Sequence, residues 1–222
     1  MSPKQPKWNP SRLFQTLAFF ESIPVISQIN RMFFGSTPPP PPQPSQNILF
    51  NFSQSQSNVK EIWGSLDDVV MGGVSQSLVE IDDSGLVFTG NVSTQNSGGF
   101  ASIRTKNFSP GLNLSGFQGI SLRVKGDGQR YKFFLRDSDG WDTVAYAISF
   151  DTLSDGWSTI NLPFDQMRPV LRAKTLPSAV PLKLNQISSL QFMLSKFEYD
   201  GTLNPSFQAG KFNLVVSTIG LY

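Results

Sequence analysis

A cluster of acidic residues around a glycine is the first feature of this 222-residue chain that could do chemistry. Asp137, Asp139 and Asp142 surround Gly140 and Trp141. Several carboxylate oxygens within a short loop are the ligands that Ca²⁺ prefers. However, the spacing is not that of an EF-hand, whose glycine lies later in the loop, and a solvated Asp-Gly turn between two strands explains the same residues. We favour the turn and keep the three aspartates as candidate metal ligands.

A second acidic pair, Asp67-Asp68, lies in the stretch 64–75, which reads GSLDDVVMGGVS. Adjacent carboxylates are either a ligand pair or turn formers that accept backbone hydrogen bonds. The Gly72-Gly73 pair allows positive φ and close backbone approach because glycine has no Cβ. We therefore predict a tightly turned loop that leads into a strand of a sheet. We interpret the two aspartates as turn formers in this loop.

Two further glycine motifs follow, NSGGFASIR at 96–104 and RVKGDGQRYK at 123–132. The backbone N–H groups of the turn 126–128, ahead of Arg130, could hold an anion. Asp-Gly is also a strong turn pair between two strands, and we predict a β-hairpin here. The chain has no Walker A loop and no GxGxxG sequence ahead of a helix, so nucleotide binding has no motif to support it.

Four aromatic residues could supply a platform on which a sugar stacks: Trp63, Tyr131, Trp141 and Trp157. Aromatic residues in a β-sandwich belong more often to the core. Trp141 is the best candidate for an exposed position, because aspartates lie close to it on both sides.

Basic and apolar residues alternate in the proline-containing stretch 165–185, which we predict to be a long loop. Arg168, Arg172 and Lys174 lie there beside Val170 and Leu171. A long loop that mixes charged and apolar side chains is typical of a protein-docking surface. A solvated loop explains the same composition equally well, and both interpretations remain open.

Composition excludes several kinds of chemistry. Without cysteine the chain has no disulfide, no thiolate metal site and no cysteine nucleophile. Without histidine it has no Ser-His-Asp arrangement, few routes to a zinc site and no ordinary proton shuttle at neutral pH. Glycoside hydrolysis would need two carboxylates across a cleft, and the sequence recommends no such pair. We expect no enzymatic activity and no cofactor.

Charge is distributed unevenly along the chain. The first 46 residues carry four basic and one acidic side chain, a net charge of +3, whereas the remainder has 14 basic and 15 acidic residues, a net charge of −1. A near-neutral body argues against a general nucleic-acid surface. The excess of positive charge therefore belongs to the N-terminal segment.

We name residues 1–36 the arm, because an apolar periodicity typical of amphipathic helix begins at Ser11, a plausible N-cap. Pro24 divides the pattern into two short helices or one bent helix. Polar residues interrupt the arm too often for a transmembrane span or a signal peptide. A membrane surface, a partner protein and the chain's own domain are three possible docking sites, and we favour the membrane. The contact residues predicted on this basis are Leu13, Phe14, Leu17, Phe20, Ile26, Ile29 and Phe33.

Residues 37–46 contain six prolines and predict an extended linker of ~25–30 Å at ~3.1 Å per residue. Residues 47–222 then read as one β-domain, with short apolar runs separated by Asp-Gly and Ser-Gly turns. Many short strands at close spacing predict a sandwich. The predicted strands are 48–52, 75–81, 86–92, 101–104, 120–124, 131–136, 143–150, 158–161, 187–194 and 212–219.

Three motifs in this order carry a family resemblance: DDVVMGGVS at 67–75, GGFASIR at 98–104 and GDGxRY at 126–131. Together they resemble the complex I intermediate-associated protein 30 family over about residues 47–222. The resemblance implies a mainly β jelly-roll sandwich of the galactose-binding-like type, similar to some carbohydrate-binding modules. We expect the residues at the motif positions mainly to fix the conformation of the backbone. They are Asp67, Asp68, Met71, Gly72, Gly73, Gly98, Gly99, Phe100, Arg104, Gly126, Asp127, Gly128, Arg130 and Tyr131.

The same resemblance implies a non-catalytic, chaperone-like assembly factor for a membrane-bound electron-transfer complex. Its partners would be subunits or intermediates of complex I, of a related NADH dehydrogenase-like complex, or of a photosystem. We expect the protein on the cytoplasmic or stromal side of an energy-transducing membrane such as the thylakoid, held there by the arm. A carbohydrate-binding module with a platform near Trp141 is the alternative, although the chain shows no convincing secretion signal. An enzyme that uses carboxylates is a weaker alternative.

Overall fold

The folded body of the protein is a sandwich of two antiparallel β-sheets. A computed structural model describes residues 7–20, 38–54, 58–140 and 143–222. The described α-helices are α1 (Pro10–Phe19) and the single-turn α2 (Val59–Ile62). The strands are β1 (Ile48–Asn51), β2 (Trp63–Ser65), β3 (Gln76–Asp82), β4 (Gly85–Val92), β5 (Phe100–Thr105), β6 (Gly119–Lys125), β7 (Arg130–Arg136), β8 (Ala145–Asp151), β9 (Trp157–Pro163), β10 (Arg168–Leu171), β11 (Lys174–Thr175), β12 (Ser189–Ser195) and β13 (Gly210–Leu221).

One sheet has six strands and the other has seven. In the six-stranded sheet the order is β3-β4-β13-β6-β9, and β1 pairs with the C-terminal part of β13 beyond the end of β4. In the seven-stranded sheet the order is β11-β10-β8-β7-β12-β5-β2. The chain passes repeatedly between the sheets, so each sheet is built from distant parts of the sequence. This architecture confirms the predicted mainly β sandwich.

The core lies between the sheets and is rich in aromatic side chains. On β7, Tyr131, Phe133 and Leu135 point into it and are fully buried. Phe192 of β12 packs edge-on against Phe133, and Trp63 stacks on Phe192 at a centroid distance of 5.8 Å. The alternate residues of β7 and β12 lie on the opposite face of the seven-stranded sheet. We call this face, which is turned away from the six-stranded sheet, the outer face.

The ten strands predicted from sequence are all present, with shifts of a few residues at their ends. The three that sequence reasoning missed are β2, β10 and β11. β2 has only three residues with a glycine in the middle, and Pro169 lies within β10, where a sequence pattern argues against a strand. Residues 165–185 are therefore not one long loop, because they include the β10–β11 hairpin.

The predicted hairpin at 126–128 is wrong. β6 and β7 on either side of this turn belong to different sheets, so the turn carries the chain across the sandwich. The Asp127 carboxylate accepts hydrogen bonds from the Tyr131 hydroxyl at 3.0 Å and from the Asn213 backbone N–H at 2.9 Å. These bonds fasten the turn to the core and to β13, a task that an Asp-Gly pattern alone does not reveal.

The first helix of the arm packs on the domain. Asn9, and not Ser11, is its N-cap: the Asn9 side chain accepts from the Ser11 N–H at 2.9 Å. Arg12 donates to the Ser75 carbonyl at 2.8 Å and to the Asp67 carboxylate at 2.9 Å. The Phe19 ring covers Gly64 of β2 so closely that a Cβ at that position would overlap it. The described half of the arm thus docks on its own domain.

The described part of the proline-rich linker also touches the domain. The Pro39 carbonyl accepts a hydrogen bond from the Ser109 N–H at 3.1 Å, so the linker is not a detached spacer at this point. No helix in the described parts of the chain is long and apolar enough to cross a membrane. Residues 21–37, which include the second half of the arm, lie outside the described residues.

Two adjacent buried carboxylates join the first two glycine motifs. Asp67 accepts from the Ser77 N–H and hydroxyl at 2.8 and 2.6 Å and from the Ser102 N–H at 3.1 Å. Asp68 accepts from the Ser75 N–H and hydroxyl at 2.9 and 2.6 Å and from the Gly99 N–H at 2.8 Å. Both aspartates are 1% exposed. The two aspartates accept hydrogen bonds from several separate segments inside the fold. They therefore do more than form a turn, which is the role predicted from the sequence.

Ionisation of Asp67 depends on its neighbours. Burial raises the pKa of Asp67, and the hydrogen bonds from Ser77 and the positive charge of Arg12 offset part of that rise. Arg12 reaches this carboxylate from α1, with 22% of its own side chain exposed. The arm therefore supplies the cation of a partly buried ion pair.

We expect Arg12→Gln to lower the free energy of unfolding at pH 7 by about 1–3 kcal/mol, because a buried carboxylate loses its cation. The variant has a still higher Asp67 pKa in the folded state. The difference in the free energy of unfolding between the variant and the parent therefore becomes smaller as the pH falls through that raised pKa. Below it Asp67 is protonated and needs no cation. Urea unfolding followed by tryptophan fluorescence between pH 4 and 8 measures this difference. Arg123→Gln, on an exposed position of β6, is the control, and equal stability of Arg12→Gln and the parent at pH 7 would contradict the prediction.

We expect Gly73→Ala to destabilise the domain by about 2–3 kcal/mol, because a Cβ at this position would overlap the Asp68 carboxylate. Thermal unfolding measures the loss. Gly116→Ala is the matched control, since its Cβ would meet nothing within 4 Å. A Gly73→Ala protein as stable as the control would show that Asp68 is not held as tightly as the structure places it.

Candidate functional site on the outer face

The outer face of the seven-stranded sheet presents one continuous row of registered residues. Strand pairing places Arg104, Gln191, Phe134, Ala147 and Arg168 side by side across β5, β12, β7, β8 and β10. The row begins and ends with an arginine and has an apolar middle. Because successive side chains of a strand alternate between faces, these residues cannot belong to the inter-sheet core.

Beside the middle of this row lies a small apolar cluster of its own. Phe134, Ala145, Ala147 and Val170 are buried there, with Met193 and Tyr199 packed against them. Tyr199 comes from the connection between β12 and β13, which folds over the outer face. The Lys132 ammonium, 4.8 Å from the centre of the Tyr199 ring, holds this connection by donating to the carbonyls of Phe197 and Glu198.

A cavity of about 620 Å³ opens between this connection and strands β8 and β10. Cations and carboxylates both line it. The Arg168 guanidinium lies 5.3 Å from the centre of the Tyr199 ring, and Ser149 donates to the Glu198 carboxylate at 2.5 Å. The residues that line the cavity are Arg130, Ala147, Ile148, Ser149, Gln166, Arg168, Glu198, Tyr199, Asp200 and Thr202.

Charged groups in the cavity are paired, but two of their polar atoms make no hydrogen bond. Arg130 pairs with the exposed Asp151 at 2.6 Å, and its Nε lies 3.4 Å from Glu198 Oε1. Neither of the last two atoms has a hydrogen-bond partner, although both are buried. Burial lowers the pKa of the neighbouring Lys132 to about 8. A cavity that contains buried polar atoms without hydrogen-bond partners and one aromatic wall is the default candidate for a binding site.

At the other end of the row, Arg104 and Arg136 lie on the two strands that flank β12. Arg104 donates to Ser189 Oγ at 3.2 Å and to Asn107 Oδ1 at 2.7 Å. Arg136 donates to Gln191 Oε1 at 2.7 Å, and its buried Nε has no acceptor. Burial lowers the pKa of both guanidinium groups, and the charge of Arg104 lowers that of Arg136 further.

The predicted calcium ligands do not converge in the described structure. The Asp137 carboxylate accepts from the Lys183 N–H at 3.0 Å, whereas Asp139 uses its backbone carbonyl to accept from Asn107. Asp142 and Trp141 lie outside the described residues. Among the residues that are described, no group of three metal-ligating side chains forms.

The predicted sugar-stacking platform is not formed by its described members together. Trp63 and Tyr131 are core residues, 1% and 0% exposed, as the more common position of aromatic residues in a sandwich suggested. Trp157 is half-buried on the six-stranded sheet, 5.7 Å from the Arg123 guanidinium. The aromatic group that does line a cavity is Tyr199, which follows no motif in the sequence.

The predicted docking residues divide between two places. Arg168 lines the cavity, whereas Arg172 and Lys174 lie on the exposed turn and second strand of the β10–β11 hairpin. Arg172 and Ala173 both have positive φ, 49° and 63°, as a two-residue type I′ turn requires. Only Arg168 of this group is therefore part of the cavity.

The family-motif positions serve the backbone in most cases. Gly72 ends a 3₁₀ turn at φ 87°, and Gly98 leaves room for Asp68, whose carboxylate a Cβ would overlap. The amide of Gly128 already donates to Thr152, so it is not free to hold an anion. Met71, in contrast, is 73% exposed, and Arg104 and Arg130 lie at the outer-face sites.

Sequence reasoning missed Lys132, Arg136, Glu198 and Tyr199. The alternation of charged and apolar residues along β7 was a usable signal, because period-two alternation places Lys132 and Arg136 on one face. Glu198 and Tyr199 had no such signal. They reach the outer face only because their connection folds back over the sheet.

Two solved structures with the same architecture are carbohydrate-binding modules. The chain is 20% identical to the family 11 carbohydrate-binding module of the cellulosomal cellulase Lic26A-Cel5E of Clostridium thermocellum, with a TM-score of 0.57 over 81% of this chain and 95% of that one. A second structure of a Clostridium thermocellum family 11 module, in complex with a β-1,3-1,4-mixed-linked tetrasaccharide, gives 21% identity and a TM-score of 0.56 over 79% and 94%. These likenesses concern the fold alone. No curated protein sequence matches the chain.

The sequence profile of one protein family matches residues 50–216, which is nearly the whole sandwich and most of the chain. The matched region contains all three glycine motifs and both outer-face sites. The chain belongs to the complex I intermediate-associated protein 30 (CIA30) family.

Proposed function

We propose that this protein is a non-catalytic, chaperone-like assembly factor for a membrane-bound electron-transfer complex. The observation that carries the proposal is the CIA30 family match over residues 50–216. The candidate clients are subunits or intermediates of complex I, of a related NADH dehydrogenase-like complex, or of a photosystem. An assembly factor must hold a client subunit reversibly, so it needs an exposed binding surface more than it needs reactive groups.

The cavity on the outer face supplies a suitable surface for a client segment. Arg168 and Asp200 offer opposite charges at its rim, and Tyr199 offers an aromatic wall. Aromatic and arginine side chains are enriched where proteins bind one another. A polypeptide segment, which presents backbone groups and both kinds of charge, fits this mixed lining.

The arm adds a localising element to the proposal. Its first helix is anchored on the domain through Arg12, yet Phe14 on the same helix is 62% exposed. Ile26, Ile29 and Phe33 continue the apolar pattern beyond the described helix. In this proposal the exposed apolar residues of the arm hold the protein on the cytoplasmic or stromal side of an energy-transducing membrane, such as the thylakoid.

The central experiment is a pull-down of the tagged full-length protein from gently solubilised native membranes. We expect subunits of one electron-transfer complex, at the size of a partial assembly. Arg168→Glu should reduce their recovery at least fivefold, because it reverses a charge in the cavity. Lys174→Glu, on the same hairpin but outside the cavity, is the matched control and should bind normally. Recovery of no such subunit by the parent protein would refute the proposed function.

The membrane step is tested separately with the triple substitution Ile26→Ser, Ile29→Ser and Phe33→Ser. These changes do not alter α1 or its Arg12–Asp67 ion pair, whereas deletion of residues 1–36 would remove both. We expect the triple variant to leave the membrane fraction while keeping the parent's melting temperature. Unchanged flotation with liposomes of anionic thylakoid-like composition would contradict a membrane role for the arm.

Carbohydrate binding is a second candidate function, favoured by the combination of Tyr199, Glu198 and Asp200 in one cavity of about 620 Å³. Sugars bind through an aromatic face together with acidic and basic hydrogen-bonding groups. Titration calorimetry with a β-1,3-1,4-mixed-linked tetrasaccharide tests it. Saturable binding that Tyr199→Ala abolishes would favour this function over client binding.

A further inference from the structure

Arg104 and Arg136 form a positive centre that the fold offsets only in part, through the charge of Asp139 near Arg104. Within the described residues no carboxylate forms an ion pair with either guanidinium group. Their hydrogen-bond acceptors are neutral side chains, namely Ser189, Asn107 and Gln191. Buried charges in proteins are normally paired, so two neighbouring cations without an ion-pair partner are an exception that calls for an explanation.

The strands hold this pair in place. Gln191 of β12 is registered with Arg104 of β5, and Ser189 is registered with Arg136 of β7, so the two arginines flank one strand on the same face. Phe20 lies 5.7 Å from the Arg104 guanidinium. The Phe134 ring lies 6.0 Å from the Arg136 guanidinium. Aromatic faces on both sides fix the planes of the two cations before any ligand arrives.

The unused donors of Arg136 have a specific geometry. Its Nη1 is occupied by Gln191, whereas its buried Nε has no acceptor. A guanidinium group always carries its charge, and the donors that it does not use within the fold can donate to the oxygens of a carboxylate. Arg104 is 3% exposed, while Arg136 retains partial exposure. A ligand from solvent therefore meets Arg136 and feels the charge of Arg104 from the other side of β12.

We propose that Arg136, supported by Arg104, binds an acidic side chain of the client protein through a charge-assisted ion pair. This inference rests on the proposed function and specifies the chemistry of the partner. A protein carboxylate fits because the site adjoins the apolar cluster around Phe134 and Met193 and continues along the row towards the cavity. An extended client segment with an acidic residue at the arginine pair can thus place its following residues over the cavity.

The charge balance of the outer face agrees with this assignment. Lys132, Arg130 and Arg168 add positive charge along the row and at the cavity. Of the carboxylates nearby, Glu198 is committed to Arg130 and Ser149, and Asp200 accepts from Thr175 at 2.7 and 2.8 Å. Asp139 is the local acid on the Arg104 side, where its charge raises the pKa of Arg104. Among the described residues no carboxylate forms an ion pair with Arg136, which is therefore the arginine left for a client carboxylate.

Fluorescence anisotropy with a labelled peptide, Ser-Glu-Leu-Glu-Ser-Glu-Leu-Glu, tests the proposal on the full-length protein. We expect Arg136→Gln to weaken binding about tenfold or more, the loss of one charge-assisted pair, and Arg136→Lys to weaken it by a smaller factor because lysine keeps the charge without the fork. Arg123→Gln is the control for net charge and should change the affinity less than twofold. A counterpart peptide with glutamine for every glutamate should bind at least tenfold more weakly to the parent protein.

Several outcomes would overturn the proposal. These are equal affinity for the two peptides, no measurable binding of the acidic peptide, or equal losses from Arg136→Gln and Arg123→Gln. We expect the melting temperature of Arg136→Gln not to fall, because the substitution removes a charge that has no ion-pair partner. An unchanged melting temperature would show that a loss of peptide affinity arises at the site and not from unfolding. In the native pull-down, client recovery unaffected by Arg136→Gln would refute the site while leaving the assembly function intact. If the parent protein binds the acidic peptide more tightly than its glutamine counterpart but recovers no client, the arginine site is supported and the assembly function is refuted.

Discussion

The fold depends on two carboxylates that the protein buries side by side and satisfies almost entirely with its own backbone and hydroxyl groups. Asp67 and Asp68 join β2, the start of β3 and the start of β5, which belong to both sheets. An ionised carboxylate away from water is very costly unless donors surround it. This requirement explains why glycines lie at 73 and 98: a side chain at either position would occupy the space of the Asp68 carboxylate.

The same junction couples the arm to the domain. Arg12 brings to Asp67 a positive charge that the sandwich does not supply from its own strands, and Phe19 and Phe20 continue along the β2 edge towards Arg104. The arm is therefore part of the domain's electrostatic balance and one wall of the outer face. Any function that releases the arm from the domain must also leave a buried carboxylate without its cation, and this cost opposes release.

The outer face carries charged and apolar side chains that do not contribute to the core between the sheets. Its strands carry arginines, a lysine and a small apolar cluster, and a connection from the end of β12 folds over them to form a cavity. Stability alone does not require buried cations without an ion-pair partner, such as Arg136, since apolar residues of similar volume would pack there at least as well. A face of this kind agrees with the proposed role, in which the protein holds another polypeptide for a limited time.

The sequence by itself determined the class of fold and the family, because period-two runs between Asp-Gly turns define strands locally and the motif DDVVMGGVS is long. It did not determine which strands pair. The turn at 126–128 therefore looked like a hairpin but crosses between sheets, since turn chemistry is local whereas strand pairing is not. Only the tertiary structure placed Arg104 beside Arg136, and Tyr199 above β8. Their proximity results from contacts between residues far apart in the chain, and no local pattern of residue types records such contacts.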